Sequence, residues 1–229
     1  MLRRRRRKKG AVHSCWHLSE APRRRALEVP TPMLALLFAA AAAVPTVEIA
    51  PGVHMPAMNF GDQKNHTLAL SLGGHGLDTA NVYGDSQQRE VGQATRGGEA
   101  LGLSRKDIFV TSKIECCPGG QFVGKVEGKL LCLVKSNATR NILHDYDVIG
   151  LDYLDLMLLH WPCDNFEDTV ATYKALEPLV AAGKARAIGV SNFNSSALAA
   201  LLPRVTVKPV INQWCHVPDS NPSLHTLRL

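Results

Sequence analysis

Residues 154–162 read Leu-Asp-Leu-Met-Leu-Leu-His-Trp-Pro, an almost wholly apolar run that ends in His160 and two further residues with rings. A strand covered on both faces needs such a run, because neither of its sides meets water. Strands of this kind form parallel sheets with helices outside, and in βα barrels their carboxyl ends gather the side chains of the active site. The stretch therefore predicts a parallel α/β fold with His160 at the edge where a site forms.

Three more polar residues stand at or just beyond the ends of predicted strands. Residues 77–84 read Leu-Asp-Thr-Ala-Asn-Val-Tyr-Gly, and residues 108–113 read Ile-Phe-Val-Thr-Ser-Lys. Parallel strands in one sheet bring their carboxyl ends to the same edge, so we expect Asp78, Tyr83 and Lys113 to converge with His160.

Predicted strands and helices alternate along the chain, which indicates parallel βα units rather than a meander. Ser86 is the expected N-cap of the second helix, because its hydroxyl can accept an unpaired backbone amide. A closed barrel of this kind needs eight strands, whereas we predict six. The predicted strands cover 57–61, 76–80, 108–112, 154–159, 186–190 and 208–213, and the helices cover 64–72, 86–100, 136–148, 168–182 and 195–202.

The order of these blocks resembles the aldo-keto reductase family from about Val47 to Gln213. The matching stretches include 49–56, which resembles the hairpin closing the bottom of that family's barrel, and 183–193, which resembles its fifth strand and the loop after it. The resemblance implies a (β/α)8 TIM barrel of aldo-keto reductase type, with about six of the eight βα units present. It also implies that the chain is truncated, and that residues around 115–135 are an insertion or a retained intron.

Carbonyl reduction by a hydride requires a proton donor for the forming alkoxide. A phenol, with a pKa of about 10, donates reluctantly unless a nearby ammonium stabilises the phenolate. Lys113 is the candidate neighbour of Tyr83, and Asp78 is the carboxylate expected to hold the lysine in place and charged. His160 and Trp161 are expected to bind the substrate, and His160 is expected to orient its oxygen. The resemblance implies the same catalytic roles, and it adds Asp78 to the cofactor site.

The resemblance implies that Ser191, Asn192 and Gln213 bind the carboxamide of a nicotinamide cofactor, which is NADPH (NADP+) in most of the family, with NADH left open. The alternative for the first two residues is a helix cap. No GxGxxG sequence follows a predicted strand, so the cofactor would not be held by a Rossmann fold.

These observations predict an NAD(P)H-dependent oxidoreductase of the alcohol dehydrogenase (NADP+) type, which reduces small aldehydes or ketones to alcohols with a Tyr general acid. The alternatives are a catalytically inactive fragment and a pseudoenzyme that binds nicotinamide with little turnover. The resemblance places substrate specificity in loops, including one beyond this sequence, so the substrate stays open. We expect a complete barrel to be a monomer. Six strands alone would leave two unpaired edges and an exposed apolar inner face, which predicts aggregation.

The formal charge of +6 arises in the first 25 residues. They hold ten Lys or Arg and one acid, Glu20, which gives +9 and leaves −3 for the rest of the chain. A folded part with no basic excess does not predict nucleic-acid binding. The cysteines show neither a CxxC pair nor zinc-ligand spacing, so we expect reduced thiols and no metal site. They are Cys15, Cys116, Cys117, Cys132, Cys163 and Cys215.

Residues 1–45 form a basic and apolar extension that we expect to be disordered or a targeting segment, ahead of a partial barrel domain at 46–229. The apolar run that starts at Met33 is too short to span a bilayer, so no stable membrane span is predicted. A cytoplasmic location and targeting to the secretory pathway or an organelle both stay open. The start of translation, Met1 or Met33, is open as well.

Overall fold

The computed structural model describes residues 44–61, 65–116, 120–126, 129–134 and 138–214, with side chains left undescribed in 120–126 and 129–134. Ten strands lie in this part of the chain. They are β1 (Thr46–Ala50), β2 (Val53–Pro56), β3 (Phe60–Gly61), β4 (Gly76–Asp78), β5 (Phe109–Ile114), β6 (Gly120–Val126), β7 (Lys129–Val134), β8 (Leu154–Leu159), β9 (Ala185–Ser191) and β10 (Asn212–Gln213).

Six of the strands form one parallel sheet in the order β10-β9-β8-β5-β4-β3. The sheet therefore follows chain order from one edge to the other, which is the arrangement that successive βα units produce. The predicted α/β fold is confirmed, as a partial barrel whose strands agree with the six predicted ones in order. The prediction of 154–159 coincides with β8, whereas β10 is shorter than the predicted 208–213.

The helices lie between the strands of the sheet. They are α1 (His66–Ser71), α2 (Asp85–Gly97), α3 (Ala138–Ile149), α4 (Phe166–Lys174), α5 (Glu177–Ala181) and α6 (Ser195–Leu201), with short 3-10 turns at Asn81–Tyr83, Gly98–Leu101, Arg105–Asp107 and Leu202–Arg204.

Asparagine side chains accept backbone amides at the starts of α1, α4 and α6, which satisfies otherwise unpaired donors. The expected cap at Ser86 is wrong: α2 begins at Asp85, and its N-cap Gly84 has a φ of 95° that favours glycine. The long helix predicted at 168–182 is divided into α4 and α5. Pro178 lies in the first turn of α5, a position where its missing N–H costs nothing.

The antiparallel hairpin of β1 and β2 supports the inner side of the sheet. Val53 of the hairpin packs in one buried cluster with Phe109, Leu156, Leu158 and Ala187 from three neighbouring strands. All five side chains are at most 6% exposed. The expectation of an exposed apolar inner face is therefore wrong for these residues, because the hairpin lies against them.

A buried carboxylate at this end of the sheet fixes the hairpin. Asp155 accepts hydrogen bonds from Arg105 Nη1 at 2.9 Å and from Arg186 Nη1 at 2.8 Å. Arg186 also donates to the carbonyl oxygen of Gly52 in the hairpin, at 2.8 Å. A buried carboxylate needs partners of this kind, and the one acid in the apolar run of β8 thus has a structural role.

The outer side of the sheet packs against the helices. Val110, Ile114, Met157 and Leu159 lie in the larger buried cluster with residues of α2, α3, α4 and α6. A Cβ at Gly92 of α2 would stand 1.8 Å from the carbonyl oxygen of Ile149 in α3. Glycine is therefore required where these two helices approach each other.

The predicted insertion contains the antiparallel pair β6 and β7, which leaves the barrel after β5 and returns before α3. The domain division at residue 45 lies at the border of the described chain, and the targeting extension lies outside the described residues. Among the described helices, none has the length and apolar character needed to cross a membrane.

Candidate active site

The carboxyl ends of β4 and β5 bring Asp78 and Lys113 together. The Lys113 ammonium forms an ion pair with Asp78 Oδ1 and donates a second hydrogen bond to the carbonyl oxygen of Thr79 at 3.0 Å. Lys113 is 2% exposed and Asp78 is 4% exposed. A buried ammonium is stable only with such partners, so this pair is built into the sheet rather than resting on its surface.

The electrostatic surroundings keep Lys113 charged. Burial is the largest single influence and on its own would lower the pKa of Lys113, but Asp78 and Tyr83 together outweigh it and raise the pKa above its ordinary value. A positive charge is therefore fixed at the end of β5.

Tyr83 reaches this charge from the 3-10 turn Asn81–Tyr83 that follows β4. Lys113 Nζ lies 3.5 Å from Tyr83 Oη and 5.0 Å from the centre of the Tyr83 ring. The ring of His160 meets the Tyr83 ring edge to face, with 5.9 Å between centroids. The four residues that the sequence placed near strand ends thus lie in one group, with Lys113 between Asp78 and Tyr83.

His160 and Trp161 follow β8 and form one wall of the group. Their rings lie 4.3 Å apart between centroids and tilt by 31°. His160 is mostly buried, whereas Trp161 is partly exposed. Asn192 supports the loop from behind, since its Nδ2 donates to the carbonyl oxygen of His160 at 2.9 Å.

The three residues expected to bind a nicotinamide lie together at the ends of β9 and β10. Ser191 Oγ donates to the carbonyl oxygen of Gln213 at 2.8 Å, and Gln213 Nε2 donates to Asp78 Oδ2 at 3.0 Å. The alternative of a helix cap is wrong, because Asn194 caps α6 through a 2.8 Å bond from the Ala197 amide.

These side chains fit a carboxamide group. Asn192 and Gln213 use their amide nitrogens within the protein, while their side-chain oxygens form no hydrogen bond to any described residue. An amide oxygen accepts hydrogen bonds, and the carboxamide of a nicotinamide offers two N–H donors. Both residues are half-buried, so an incoming ring can reach them.

Two buried carboxyl groups beside the four residues were missed by the sequence interpretation. Glu115 lies directly after β5 with Oε1 3.0 Å from His160 Nδ1, and it accepts the Val82 amide at 3.0 Å. Asp145 of α3 accepts a hydrogen bond from Gln88 of α2. Burial raises the pKa of Glu115 to about 8 and that of Asp145 to about 7. The only available signal was an acid two residues after Lys113, in a stretch interpreted as an insertion.

The same loops carry a covalent link. Cys116 and Cys163 form a disulfide, with their Cα atoms 5.3 Å apart, within the range that disulfides span. The expectation of reduced thiols is wrong for these two residues, because the ends of β5 and β8 are neighbours in the sheet. Cys116 Sγ also lies 3.7 Å from Thr172 Oγ1 of α4. Within the described residues, no group of three His, Cys, Asp or Glu side chains is arranged to hold a metal ion.

The parallel α/β sheet carries a buried Lys–Asp pair, a tyrosine and a histidine at its carboxyl edge. These features define a class of α/β barrel proteins whose polar side chains gather at the ends of the strands. The family model described as "Aldo/keto reductase family" matches residues 63–221, and the chain belongs to this family.

Individual proteins show the same relationship. The chain is 33% identical over 177 residues to morphine 6-dehydrogenase of Pseudomonas putida, with 74% of this chain and 53% of that protein covered. It is 34% identical to glyoxal reductase of Bacillus subtilis, with coverages of 73% and 56%. The chain therefore spans little more than half the length of these two relatives.

Solved structures are similar as well. An aldo/keto reductase from Brucella melitensis superposes with a TM-score of 0.59 at 30% identity. The match covers 75% of this chain and 62% of the chain of that reductase. An aldo-keto reductase of Bombyx mori in complex with NADP gives a TM-score of 0.59 at 25% identity, with coverages of 76% and 59%. The fold is therefore that of a partial aldo-keto reductase barrel.

Proposed function

We propose that this chain carries the catalytic part of an NADPH-dependent reductase for small aldehydes and ketones, with Tyr83 as the general acid. The observation that carries the proposal is the position of Lys113 Nζ, which contacts both Asp78 and the Tyr83 hydroxyl. An ammonium at that point stabilises the phenolate that remains when the tyrosine gives up its proton.

The chemical roles follow from the contacts. Tyr83 Oη would donate its proton to the oxygen of the substrate as that oxygen gains negative charge. Lys113, held by Asp78, would stabilise the phenolate until it regains a proton. His160, whose ring faces Tyr83 at 5.9 Å, would hydrogen-bond the same oxygen and orient it, with Trp161 beside the substrate. Preorganised donors of this kind typically contribute a few kcal/mol to lowering a barrier.

NADPH, when bound, supplies the hydride. Ser191, Asn192 and Gln213 would hold the carboxamide of its ring and so decide which face of the ring meets the substrate. Gln213 also contacts Asp78 Oδ2, which connects the ring-binding residues to the proton-donating ones. Support for this cofactor comes from Bombyx mori relatives, whose structures contain NADP and NADPH.

A second candidate is a fragment, or a nicotinamide-binding pseudoenzyme, that retains the site without turnover. The observation in its favour is length, because the chain spans only 53% and 56% of the two relatives compared above. The substrate class rests on the names of these relatives, which include a glyoxal reductase and a morphine 6-dehydrogenase.

The test compares the Tyr83→Phe variant with the unsubstituted protein by following the oxidation of NADPH with glyoxal as the substrate. Loss of the proton donor should lower kcat by about a hundredfold or more, and NADPH affinity should hardly change because the hydroxyl acts in the proton-transfer step. Tyr153→Phe is the matched control, since Tyr153 stacks under Arg105 and its ring is kept. Retention of most activity in Tyr83→Phe would contradict the assignment.

The two candidates are separated by running the same assay on two proteins. One is the 229-residue chain, and the other is a chimera in which the C-terminal part of Bacillus subtilis glyoxal reductase follows residue 213. Activity that appears only in the chimera and depends on Tyr83 supports an intact site in a chain that is inactive by itself. A chimera without activity favours the pseudoenzyme.

A further inference from the structure

Glu115 connects two parts of the candidate site that the proposed function treats separately. Its Oε1 accepts the Val82 amide next to Tyr83 and lies 3.0 Å from Nδ1 of His160. Glu115 is 0% exposed, and its Oε2 has no hydrogen-bond partner among the described residues. A carboxyl group enclosed in this way has few contacts that favour its charged form.

The charges around Glu115 determine its protonation. Burial first of all, and then the nearby Asp145 of α3, raise the pKa of Glu115 to about 8, while the backbone amides and Lys113 act in the opposite direction. His160 at the end of β8 is a further titratable neighbour, and the turn after β4 contributes the Val82 amide. The carboxyl group therefore takes up or releases a proton near neutral pH.

Protonation at Glu115 decides what the other ring nitrogen of His160 can do. When the Glu115–His160 pair lacks the shared proton, Glu115 is a carboxylate and accepts a hydrogen bond from Nδ1–H of His160. The His160 ring is then neutral, so its Nε2 carries no hydrogen. When the pair holds one more proton, either the Glu115 hydroxyl donates to Nδ1 or the ring is an imidazolium. In both of these forms Nε2 carries hydrogen and is a donor.

We propose that Glu115 is a positioning residue that keeps a proton on Nε2 of His160, so that the ring donates a hydrogen bond to the carbonyl oxygen of the substrate. This inference rests on the proposed function, which places that oxygen beside His160. Carbonyl reduction then falls as the pH rises and the pair loses its shared proton. The deprotonated pair offers Nε2 as an acceptor, which suits the O–H of an alcohol and so favours the reverse reaction.

The variant Glu115→Gln separates this role from simple packing. The Val82 amide and His160 both contact Oε1, so the glutamine oxygen is required at that point, because an NH2 group there would face the Val82 N–H. A glutamine oxygen can only accept, which fixes the ring with hydrogen on Nδ1 and none on Nε2. The volume of the side chain is almost unchanged.

The experiment is 15N NMR of the 229-residue chain labelled at histidine, with the His160 signals assigned by their loss in His160→Gln. In the unsubstituted chain we expect Nε2–H below about pH 8, and conversion to the Nδ1–H tautomer as the pH rises through about 8. In Glu115→Gln we expect the Nδ1–H tautomer from pH 7 upward with no such transition. In the active chimera, Glu115→Gln should lower kcat/KM for carbonyl reduction by about a hundredfold.

Glu90→Gln is the matched control, because Glu90 forms another Glu–His contact, with His66 at 3.3 Å, away from the site. It should leave the His160 signals unchanged. Nε2–H in Glu115→Gln would overturn the proposal, as would an Nδ1–H tautomer at pH 7 in the unsubstituted chain, which needs no variant to fold. The tautomer is read without turnover, so a chain that lacks reductase activity but shows these signals contradicts only the proposed function.

Discussion

At the scale of single residues, the Lys113–Asp78 pair would allow Tyr83 to act as the acid of the proposed reaction. An ammonium that is 2% exposed would lose its proton if it stood alone, because burial disfavours charge. Asp78 and Tyr83 together outweigh this effect of burial, and the pKa of Lys113 rises rather than falls. In the proposed function, Asp78 thus acts on Tyr83 through the ammonium of Lys113, which contacts both side chains.

Lys113→Met should remove the charge next to Tyr83. We expect kcat for carbonyl reduction to fall by about a hundredfold or the alkaline limb of the pH–rate profile to move upward, since the phenolate is no longer stabilised. Asp78→Asn should act in the same direction but less strongly, because Asp78 acts through Lys113. The profiles are measured in the active chimera, with Lys184→Met at the exposed Lys184 as the control. A profile that neither substitution moves would show that another group tunes Tyr83.

At the scale of elements, strand ends were predictable and helix contacts were not. Asp78, Lys113 and His160 could be found from the sequence because each stands at the end of an apolar run, and parallel strands align those ends. Glu115 and Asp145 could not be found, because their burial depends on how α3 packs outside β5. The Cys116–Cys163 bond was missed for a different reason, because its cysteines are 47 positions apart and meet only where β5 and β8 are neighbours in the sheet.

The two buried carboxyl groups make stability depend on pH. The pKa of Glu115 rises from 4.5 to about 8, and that of Asp145 from 3.8 to about 7, both first of all through burial. The folded chain binds these protons more tightly than the unfolded chain, so their stabilisation is complete below about pH 4 and is lost as the pH rises through 7 and 8. The slope is up to about 1.4 kcal/mol per pH unit for each group.

Urea unfolding between pH 5 and pH 9 measures this dependence. Stability should decline with rising pH, and both Asp145→Asn and Glu115→Gln should flatten the decline. Asp147→Asn is the matched control, because Asp147 lies on the exposed side of the same helix. A decline of equal slope in all the variants would mean that neither carboxyl group causes it.

At the scale of the whole molecule, the described sheet has two edges, each closed by a strand of only two residues, β3 and β10. Short edge strands offer little backbone for pairing with another chain. The hairpin also covers the inner cluster around Leu156 and Leu158. The sequence predicted aggregation from an exposed apolar inner face and from two unpaired sheet edges. The hairpin covers the inner cluster, and the shortness of the two edge strands weakens the second reason.

Cofactor affinity is the property that should distinguish this chain from its longer relatives. In the proposed function, Ser191, Asn192 and Gln213 would hold only the carboxamide end of the nicotinamide, which is a small part of the cofactor. We expect the 229-residue chain to bind NADPH with a dissociation constant above roughly 1 mM, a limit that corresponds to a binding free energy of about 4 kcal/mol. Quenching of tryptophan fluorescence measures the affinity, and the chimera is the reference. Micromolar binding by the 229-residue chain would rule out the fragment interpretation.

The bond between Cys116 and Cys163 connects the chemistry of the site to the place where the protein resides. In a glutathione-reduced compartment such bonds rarely persist, and the loops after β5 and β8 would be joined by noncovalent contacts alone. In the secretory pathway the bond would last, and a 47-residue separation implies about 4 kcal/mol of stabilisation through the unfolded chain. Because Glu115 and His160 lie on the two loops that this bond joins, reduction of the bond would remove a covalent constraint on the distance between them.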